Sequence, residues 1–182
     1  MTSERPDDLL LPAIPSAVAV RDRSPADLPA LLAVLRRTHE QEGYPVRAGA
    51  VDAEWLATTS ELANGVAVHG SRVVGHVALH PADDPPDSPA LRLWQQATAR
   101  GPEGLAVVSR LFTDRSVRGA GTALLEHAVR QAAELGRAAV LLVDPDSPAR
   151  AFYLRRGWRE VGSATQQWGP RTVDAALLVH PA

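Results

Sequence analysis

Apolar residues recur every three to four positions in two long stretches of the chain, a spacing that predicts amphipathic helices. The first stretch follows Ser24, the expected N-cap, and ends at Gly43. The second covers residues 119–135 and stops at Gly136, a residue type that commonly ends helices. Shorter helices are predicted from Asp52 onward, between Leu91 and Ala99, and over residues 147–156.

Apolar runs of strand length lie between these helices. The runs at 65–68 and 73–79 flank His69-Gly70-Ser71-Arg72, which is typical of a β-hairpin. Residues 138–143 are apolar throughout, as expected for a strand buried on both faces. The other predicted strands are residues 18–21, 105–113, 158–161 and 175–179. This order predicts an α/β chain with a mixed sheet and helices on both faces, in which 105–143 forms a right-handed β-α-β unit.

Two segments interrupt this alternation. Residues 1–16 are rich in proline and lack periodic apolar positions, so we expect an N-terminal arm outside a single domain of residues 17–182. Residues 81–104 form a long connection that begins irregularly. Connections of this length are usually functional or partly helical.

The amino-acid composition argues against several classes of function. The 182 residues include 19 Lys and Arg against 21 Asp and Glu, a net charge of -2 that gives no indication of a nucleic-acid partner. Cysteine is absent, which excludes disulfides, thiolate metal ligands and a thiol nucleophile; we expect no metal, and any acyl transfer must be direct or use another nucleophile. The sequence has no signal-peptide pattern and no apolar run of membrane-spanning length. We therefore expect a cytoplasmic protein without a membrane partner.

The segment Val117-Arg118-Gly119-Ala120-Gly121-Thr122-Ala123 joins a predicted strand to the second long helix. A helix N-terminus presents free N–H groups, and glycines let a phosphate approach them closely. The alternative is a tight turn with a solvated arginine. The segment is not a dinucleotide fingerprint, because residue 124 is leucine, and no Walker lysine follows it.

Three segments between residues 105 and 161 together resemble one family. Arg118-x-x-Gly121-x-Ala123 resembles the Gln/Arg-x-x-Gly-x-Gly/Ala pyrophosphate loop of GNAT acetyltransferases. Leu111-Phe112-Thr113-Asp114-Arg115 is similar to their Leu-x-Val-x-Pro strand end, and the segment from Asp146 to Trp158 resembles their Asn-x-x-Ala-x-x-Phe-Tyr-x-x-x-Gly-Phe. The resemblance implies the GNAT fold, whose mixed sheet is mostly antiparallel, and acetyl-CoA as cosubstrate.

The resemblance also implies roles for the cofactor-binding residues. Backbone N–H groups of the loop would bind the CoA pyrophosphate; the loop residues are Arg118, Gly119, Ala120, Gly121, Thr122 and Ala123. Main-chain groups of Leu111, Phe112 and Thr113 would pair with the pantetheine arm as an added strand does. Asp146 stands where relatives usually keep an asparagine that contacts this arm.

Tyr153 would be the catalytic acid that protonates the departing thiolate, the alternative being a core aromatic with a bonded hydroxyl. Relatives often place a basic carboxylate on the strand that corresponds to 105–113, but here Ser109 and Arg110 occupy that strand without one. The base is therefore left open between a remote carboxylate, a histidine such as His76 or His80, and a water chain.

The acceptor site is expected at the connection between the first two helices and at the middle loops. That location indicates Tyr44, Pro45, Arg47, Trp55 and Trp94, with Ser109 and Arg110 from the strand. Aromatic side chains there would suit an amine beside an apolar group, although surface tryptophans often only seal a loop.

The leading hypothesis is transfer of an acetyl group from acetyl-CoA to a primary amine of a small molecule, by direct attack within one site. The alternatives are a protein N-terminal or lysine acetyltransferase and a weakly catalytic CoA-binding regulatory protein. Homodimerisation is left open.

Overall fold

The computed structural model describes residues 17–45, 51–83, 85 and 88–181; the predicted arm (1–16) and Arg47 lie outside the described residues. Seven strands form one sheet in the order β1-β2-β3-β4-β5-β7-β6. The strands are β1 (Val18–Arg21), β2 (Ala63–His69), β3 (Arg72–Pro81), β4 (Leu105–Thr113), β5 (Ala138–Val143), β6 (Arg159–Trp168) and β7 (Arg171–Val179).

The helices begin and end close to the predicted positions. They are α1 (Leu28–Glu42), α2 (Ala53–Leu56), α3 (Pro89–Thr98), α4 (Ala120–Glu134) and α5 (Pro148–Leu154). Ser24 caps a 3₁₀ turn at Pro25–Asp27, where the Asp27 carboxylate accepts a hydrogen bond from the Ser24 N–H at 2.7 Å. No helix in the described part of the chain is long and apolar enough to cross a membrane.

One pair of strands differs from all the others. β4 and β5 run parallel, whereas every other neighbouring pair is antiparallel. This parallel pairing consists of Leu105 with Ala138, Ala106 with Ala139 and Val107 with Val140, and it then ends. The mixed, mostly antiparallel sheet predicted from the sequence is thus confirmed.

Helices cover both faces of the sheet. α4 lies on one face and buries Leu124, Leu125 and Ala128 against β2 to β5. α1 and α2 pack on the opposite face over Val66 and Phe112. α3, from the 81–104 connection, covers β5 to β7 with Leu91 and Trp94. The arginine, histidine and glutamate side chains of the site described below lie outside the two apolar clusters that α1 with α2 and α3 form with the sheet.

The last hairpin is longer than the sequence predicts. β6 and β7 pair from Arg159 with Val179 to Trp168 with Arg171, whereas the apolar pattern indicates only 158–161 and 175–179. β6 is an edge strand with polar residues at Ser163, Thr165 and Gln167, so its sequence lacks an apolar run. Edge strands need fewer buried side chains than central ones, and the register is set by pairing with β7.

Gly75 in β3 lies against β4 without room for a side chain. An added Cβ would lie 2.7 Å from the Phe112 carbonyl oxygen, 2.9 Å from Thr113 Cγ2 and 3.0 Å from Leu124 Cδ1. We expect Gly75→Ala to lower the free energy of unfolding by about 1–3 kcal/mol, measured by urea denaturation, because the backbone must shift. The control is Gly101→Ala, whose Cβ meets only the carboxylate of the exposed Glu103, which can rotate away. Equal losses in both variants would contradict this explanation.

Candidate active site

The site lies where β4 and β5 part. Beyond Val107, β4 has no strand neighbour on its β5 side among the described residues, so the main chain of 108–113 is unpaired along that edge. α4 follows the end of β4, and α5 follows the end of β5. Because the two strands are parallel, both helix N-termini lie at the same end of the gap.

A β-bulge in β4 shapes this edge. Ser109 lies opposite Ala78 and Phe112 opposite His76, so Arg110 and Leu111 together face Val77 alone. Arg110 has φ of 52°, in the left-handed region that residues with a Cβ rarely adopt. Bulges of this kind redirect a side chain and interrupt strand pairing.

The predicted pyrophosphate loop forms the N-terminus of α4. Gly119 has φ of 85° and caps the helix without any side-chain hydrogen bond, so the first-turn N–H groups are available. Arg118 is exposed. The sequence analysis missed Arg156, which donates to Thr122 Oγ1 at 2.5 Å and lies 3.7 Å from the centre of the Phe152 ring. It adds a second guanidinium to this helix end.

Two other residues of the family-like segments are placed at the same end. Asp146 is exposed, and its N–H donates to Asp144 Oδ1 at 3.0 Å. Arg115, at the position where relatives have proline, pairs with Glu42 at the end of α1. The role of Asp146 towards the cosubstrate stays a prediction.

Tyr153 lies on α5 and is 8% exposed. Its ring packs against Phe152 and Trp158 at centroid distances of 5.3 and 5.8 Å. Burial raises the pKa of the Tyr153 hydroxyl, so this group stays protonated at neutral pH. The hydroxyl has no hydrogen-bond partner within the described residues, unlike that of a satisfied core tyrosine.

The structure brings together four of the predicted acceptor-site residues, which are Tyr44, Trp55, Ser109 and Arg110. Tyr44 and Trp55 contact edge to face with ring centroids 6.0 Å apart, and the Arg110 guanidinium lies 5.2 Å from the centre of the Trp55 ring. Ser109 lies beside Arg110 on β4. Burial, and next the nearby phenol of Tyr153, raise the pKa of Tyr44. The two tyrosines are therefore neighbours.

Trp94 does not belong to this group. It is 1% exposed and packs beneath α3 with Leu105, Val140 and Leu177. The expectation that it forms a wall of the acceptor site is therefore wrong. Its apolar surface serves instead to attach α3 to the sheet.

A buried ion pair lies next to Arg110. Arg23, from the connection between β1 and α1, contacts both carboxylate oxygens of Glu61 at 2.7 and 3.2 Å, and these side chains are 10% and 6% exposed. The carboxylate also accepts from the Thr58 N–H and the Asn64 amide. Burial alone would raise the pKa of Glu61, but hydrogen bonds, chiefly from Arg23, lower it. Glu61 is thus a carboxylate with its acceptor sites filled, which makes it a poor base.

His76 and His80 connect the two arginines to β4. His76 Nε2 accepts from Arg23 Nη1 at 2.9 Å, so Nδ1 carries the proton that is donated to the Arg110 carbonyl. His80 Nε2 accepts from Arg110 Nη1 at 2.5 Å, so Nδ1 donates to Ser109 Oγ at 2.7 Å. Burial is the main cause that lowers the pKa of each histidine to about 4. Neither ring offers a free lone pair, and the structure therefore favours the water chain over a histidine as base.

Sequence reasoning missed Arg23, Thr58 and Glu61 because each lies in a connection without any motif. No group of His, Cys, Asp and Glu within the described ranges is arranged as a metal site. The candidate site therefore combines the unpaired edge of β4, the N-terminus of α4, the protonated hydroxyl of Tyr153 and the mostly buried guanidinium of Arg110.

The depressed pKa of His76 predicts a pH dependence of stability. The unfolded chain binds a proton near pH 6.5 and the folded chain only near pH 4, so stability is full above 6.5 and falls as the pH drops towards 4. This residue should account for up to about 3 kcal/mol of that loss. We expect His76→Asn to reduce the slope of the unfolding free energy against pH between pH 7 and 5, measured by urea denaturation. Some slope should remain, because the pKa of His80 is lowered as well.

The control for this experiment is Val66→Ala, since Val66 is the buried strand partner of His76 and does not titrate. It should lower stability equally at every pH. A slope unchanged in His76→Asn would contradict the assignment of a neutral buried imidazole.

Comparison with known proteins identifies the fold. A search of curated proteins returned no significant match. Among solved structures, similar ones include a ribosomal-protein-alanine N-acetyltransferase from Brucella melitensis (21% identity, TM-score 0.68, covering 90% of this chain and 99% of that one). An N-acyl amino acid synthase from uncultured soil microbes has 19% identity and a TM-score of 0.66, covering 91% of each chain.

N-acetylglutamate synthase from Neisseria gonorrhoeae, complexed with coenzyme A and N-acetyl-glutamate, is also similar, with 17% identity and a TM-score of 0.60; the match covers 91% of this chain and 35% of that one. Identities this low establish a common fold only. The model of the Acetyltransferase (GNAT) family matches residues 28–158. Because this match spans most of the described domain, the chain belongs to the GNAT acetyltransferase family.

Proposed function

We propose that this chain transfers an acetyl group from acetyl-CoA to the primary amine of a small molecule by direct attack. The observation that carries the proposal is the unpaired β4 edge from Val108 to Thr113, which is followed by the N-terminus of α4, where no side chain caps the first turn. An extended arm can pair with such an edge, and an anion can bind such a helix end.

The residues at the gap fit acetyl-CoA. Main-chain groups of Leu111, Phe112 and Thr113 would bind the pantetheine arm, and the first-turn N–H groups of α4 would bind the pyrophosphate. At Gly119 an added Cβ would meet nothing within 4 Å, so that face of the loop is open. Arg118 and Arg156 supply positive charge there. Acetyl-CoA brings the acyl group already activated as a thioester.

The chain's own groups can then promote transfer. An unpaired N–H of β4 can donate to the carbonyl oxygen and stabilise the negative charge that develops on it. The protonated hydroxyl of Tyr153, which has no protein partner in the described part of the chain, can donate to the sulfur as it leaves. Binding both reactants in one site contributes proximity.

Removal of the amine's proton falls to water rather than to a side chain. Glu61 and both neutral histidines have their acceptor atoms occupied by arginine and other donors. An amine near neutral pH has a small unprotonated fraction, which can attack without a strong base. Rates should accordingly rise with pH until the free amine predominates.

Two alternative functions, a protein acetyltransferase and a CoA-binding regulatory protein, each have one supporting observation. Similarity to a ribosomal-protein-alanine N-acetyltransferase is consistent with a protein acceptor, although at 21% identity it concerns the fold alone. The lack of a β4 carboxylate is consistent with a CoA-binding regulatory protein. The recessed, mostly buried polar cluster favours a small acceptor over a protein surface, since a small molecule can reach side chains that are 6 to 15% exposed.

The first test concerns acetyl-CoA binding. Because Gly121 Cα lies in the first turn of α4, Gly121→Glu would put a carboxylate where phosphate is expected, and an added Cβ meets the Phe152 ring at an ordinary 3.5 Å. Acetyl-CoA should raise the Tm of the wild type by mass action and should not raise that of the variant. The matched control is Ala133→Glu, at the exposed far end of the same helix, which should keep the shift. Equal shifts in all three proteins would refute the loop assignment.

The second test separates an enzyme from a binding protein. Tyr153→Phe keeps the ring that packs against Phe152 and Trp158 and removes only the proton donor. We expect kcat to fall by about 10²–10⁴ while the Kd of acetyl-CoA stays close to the wild-type value, because loss of a general acid affects only the chemical step. Thiol release and calorimetry measure these two quantities.

The effect of Tyr153→Phe should shrink with a thioester whose leaving thiol has a lower pKa, since such a thiol needs less protonation. An unchanged kcat under conditions where chemistry limits the rate would remove Tyr153 from the mechanism. A wild type that binds acetyl-CoA but acetylates no amine would favour the regulatory alternative.

A further inference from the structure

Resting on the proposed function, we infer that Arg110 binds a carboxylate of the acceptor. The acceptor would then be an amine with a neighbouring carboxylate, as in an α-amino acid, rather than a simple amine. Four features of the buried cluster around Arg110 lead to this conclusion.

The cluster holds more positive than negative charge. Its charged members in the described part of the chain are Arg23, Arg110 and Glu61, because His76 and His80 are neutral. Glu61 is committed to Arg23 at 2.7 Å, whereas its nearest oxygen lies 3.7 Å from Arg110 Nη1. Asp83 lies nearby as an exposed carboxylate, but it makes no ion pair with Arg110. Arg110 therefore has no carboxylate within hydrogen-bond distance among the described residues.

Arg110 also has unused hydrogen-bond donors. Nη1 donates to His80 Nε2 and, at 3.3 Å, to Thr58 Oγ1. Nε and Nη2 have no partner among the described residues, and the side chain is 15% exposed. These two nitrogens form the planar fork that matches the two oxygens of a carboxylate. Arg23 differs, since both of its Nη atoms donate to Glu61, His76 or Leu56.

The guanidinium is held in place before any ligand arrives. The bulge directs the side chain, His80 and Thr58 hold one edge, and the Trp55 ring covers one face at 5.2 Å. A rigid fork loses little conformational entropy on binding, so its interactions contribute fully to affinity. Leaving such donors unfilled in a partly buried site is costly.

Arg110 lies next to the expected reaction centre. The Arg110 main chain and the phenol of Tyr153 both lie close enough to the Tyr44 hydroxyl to shift its pKa, so Tyr44 lies near both residues. A carboxylate bound by Arg110 would therefore bring an amine attached close to it towards the acid that faces the thioester. The rings of Tyr44 and Trp55 would contact the remainder of the acceptor.

The experiment compares amine acceptors that differ only in the acid group. The probes are phenylalanine, methionine, alanine and glutamate, each against its α-carboxamide, with thiol release as the readout. We expect Arg110→Gln to lower kcat/KM for the carboxylate members on the order of 10- to 100-fold, chiefly through KM, and to change the carboxamides little. Arg110→Lys, which keeps the charge without the fork, should fall between. Because the amine of a carboxamide is less basic than that of the free amino acid, each acceptor is compared between the variant and the wild type, and this ratio cancels the difference in basicity.

Two controls isolate the effect. Arg92→Gln removes an exposed arginine on α3, away from the cluster, and should leave every ratio unchanged. The acetyl-CoA thermal shift of Arg110→Gln should equal that of the wild type. An equal loss for both members of each pair would assign Arg110 a structural role and overturn the inference.

A binding measurement keeps this test separate from that of the proposed function. In the presence of CoA, calorimetry compares the N-acetylated amino acids with their N-acetylated carboxamides on the wild type and Arg110→Gln. If the wild type turns over no probe yet binds the carboxylates more tightly through Arg110, the proposed reaction fails and the inference stands. If the wild type shows no carboxylate preference in turnover or binding, the inference is wrong.

Discussion

The separation of β4 from β5 is the constraint on which the remaining features depend. Parallel pairing that stops after Val107 and Val140 leaves a run of main-chain donors and acceptors unpaired inside a central strand, where unpaired backbone groups are costly. The helices that follow both strands begin at the same end of this gap. A ligand with an extended polar arm and an anionic end would satisfy these groups, as proposed above for acetyl-CoA.

The bulge at Arg110 connects this edge to the proposed acceptor site. By inserting an extra residue opposite Val77, it places a guanidinium beside aromatic rings and gives the residue an unfavourable φ of 52°. Such backbone strain persists only where surrounding contacts compensate for it. One compensating contact is the hydrogen bond that His76 Nδ1–H donates to the Arg110 carbonyl oxygen.

The buried cluster also shows how two arginines can lie close together. A single carboxylate, Glu61, neutralises one of them, and the neutral imidazoles of His76 and His80 accept N–H groups without adding charge. Protonating either ring would add a third positive charge and remove an acceptor, in agreement with the lowered pKa values. The cluster therefore depends on histidines that are not bases. The similar solved structures share this fold at about a fifth of identical residues, so the fold alone does not specify an acceptor.

The sequence by itself determined the elements whose signals are local. Helical spacing and caps predict α1 and α4, apolar runs predict β4 and β5, and three segments between residues 105 and 161 together predict the family. Only the tertiary structure determined which residues meet at the proposed acceptor site. Arg23, Glu61 and His80 are far apart in the chain and follow no spacing rule. His80 lies on β3, whereas Arg23 and Glu61 lie in connections that only the folding of the chain brings near it. For the same reason Trp94, judged by residue type, was assigned to the site, although packing of α3 buries it elsewhere.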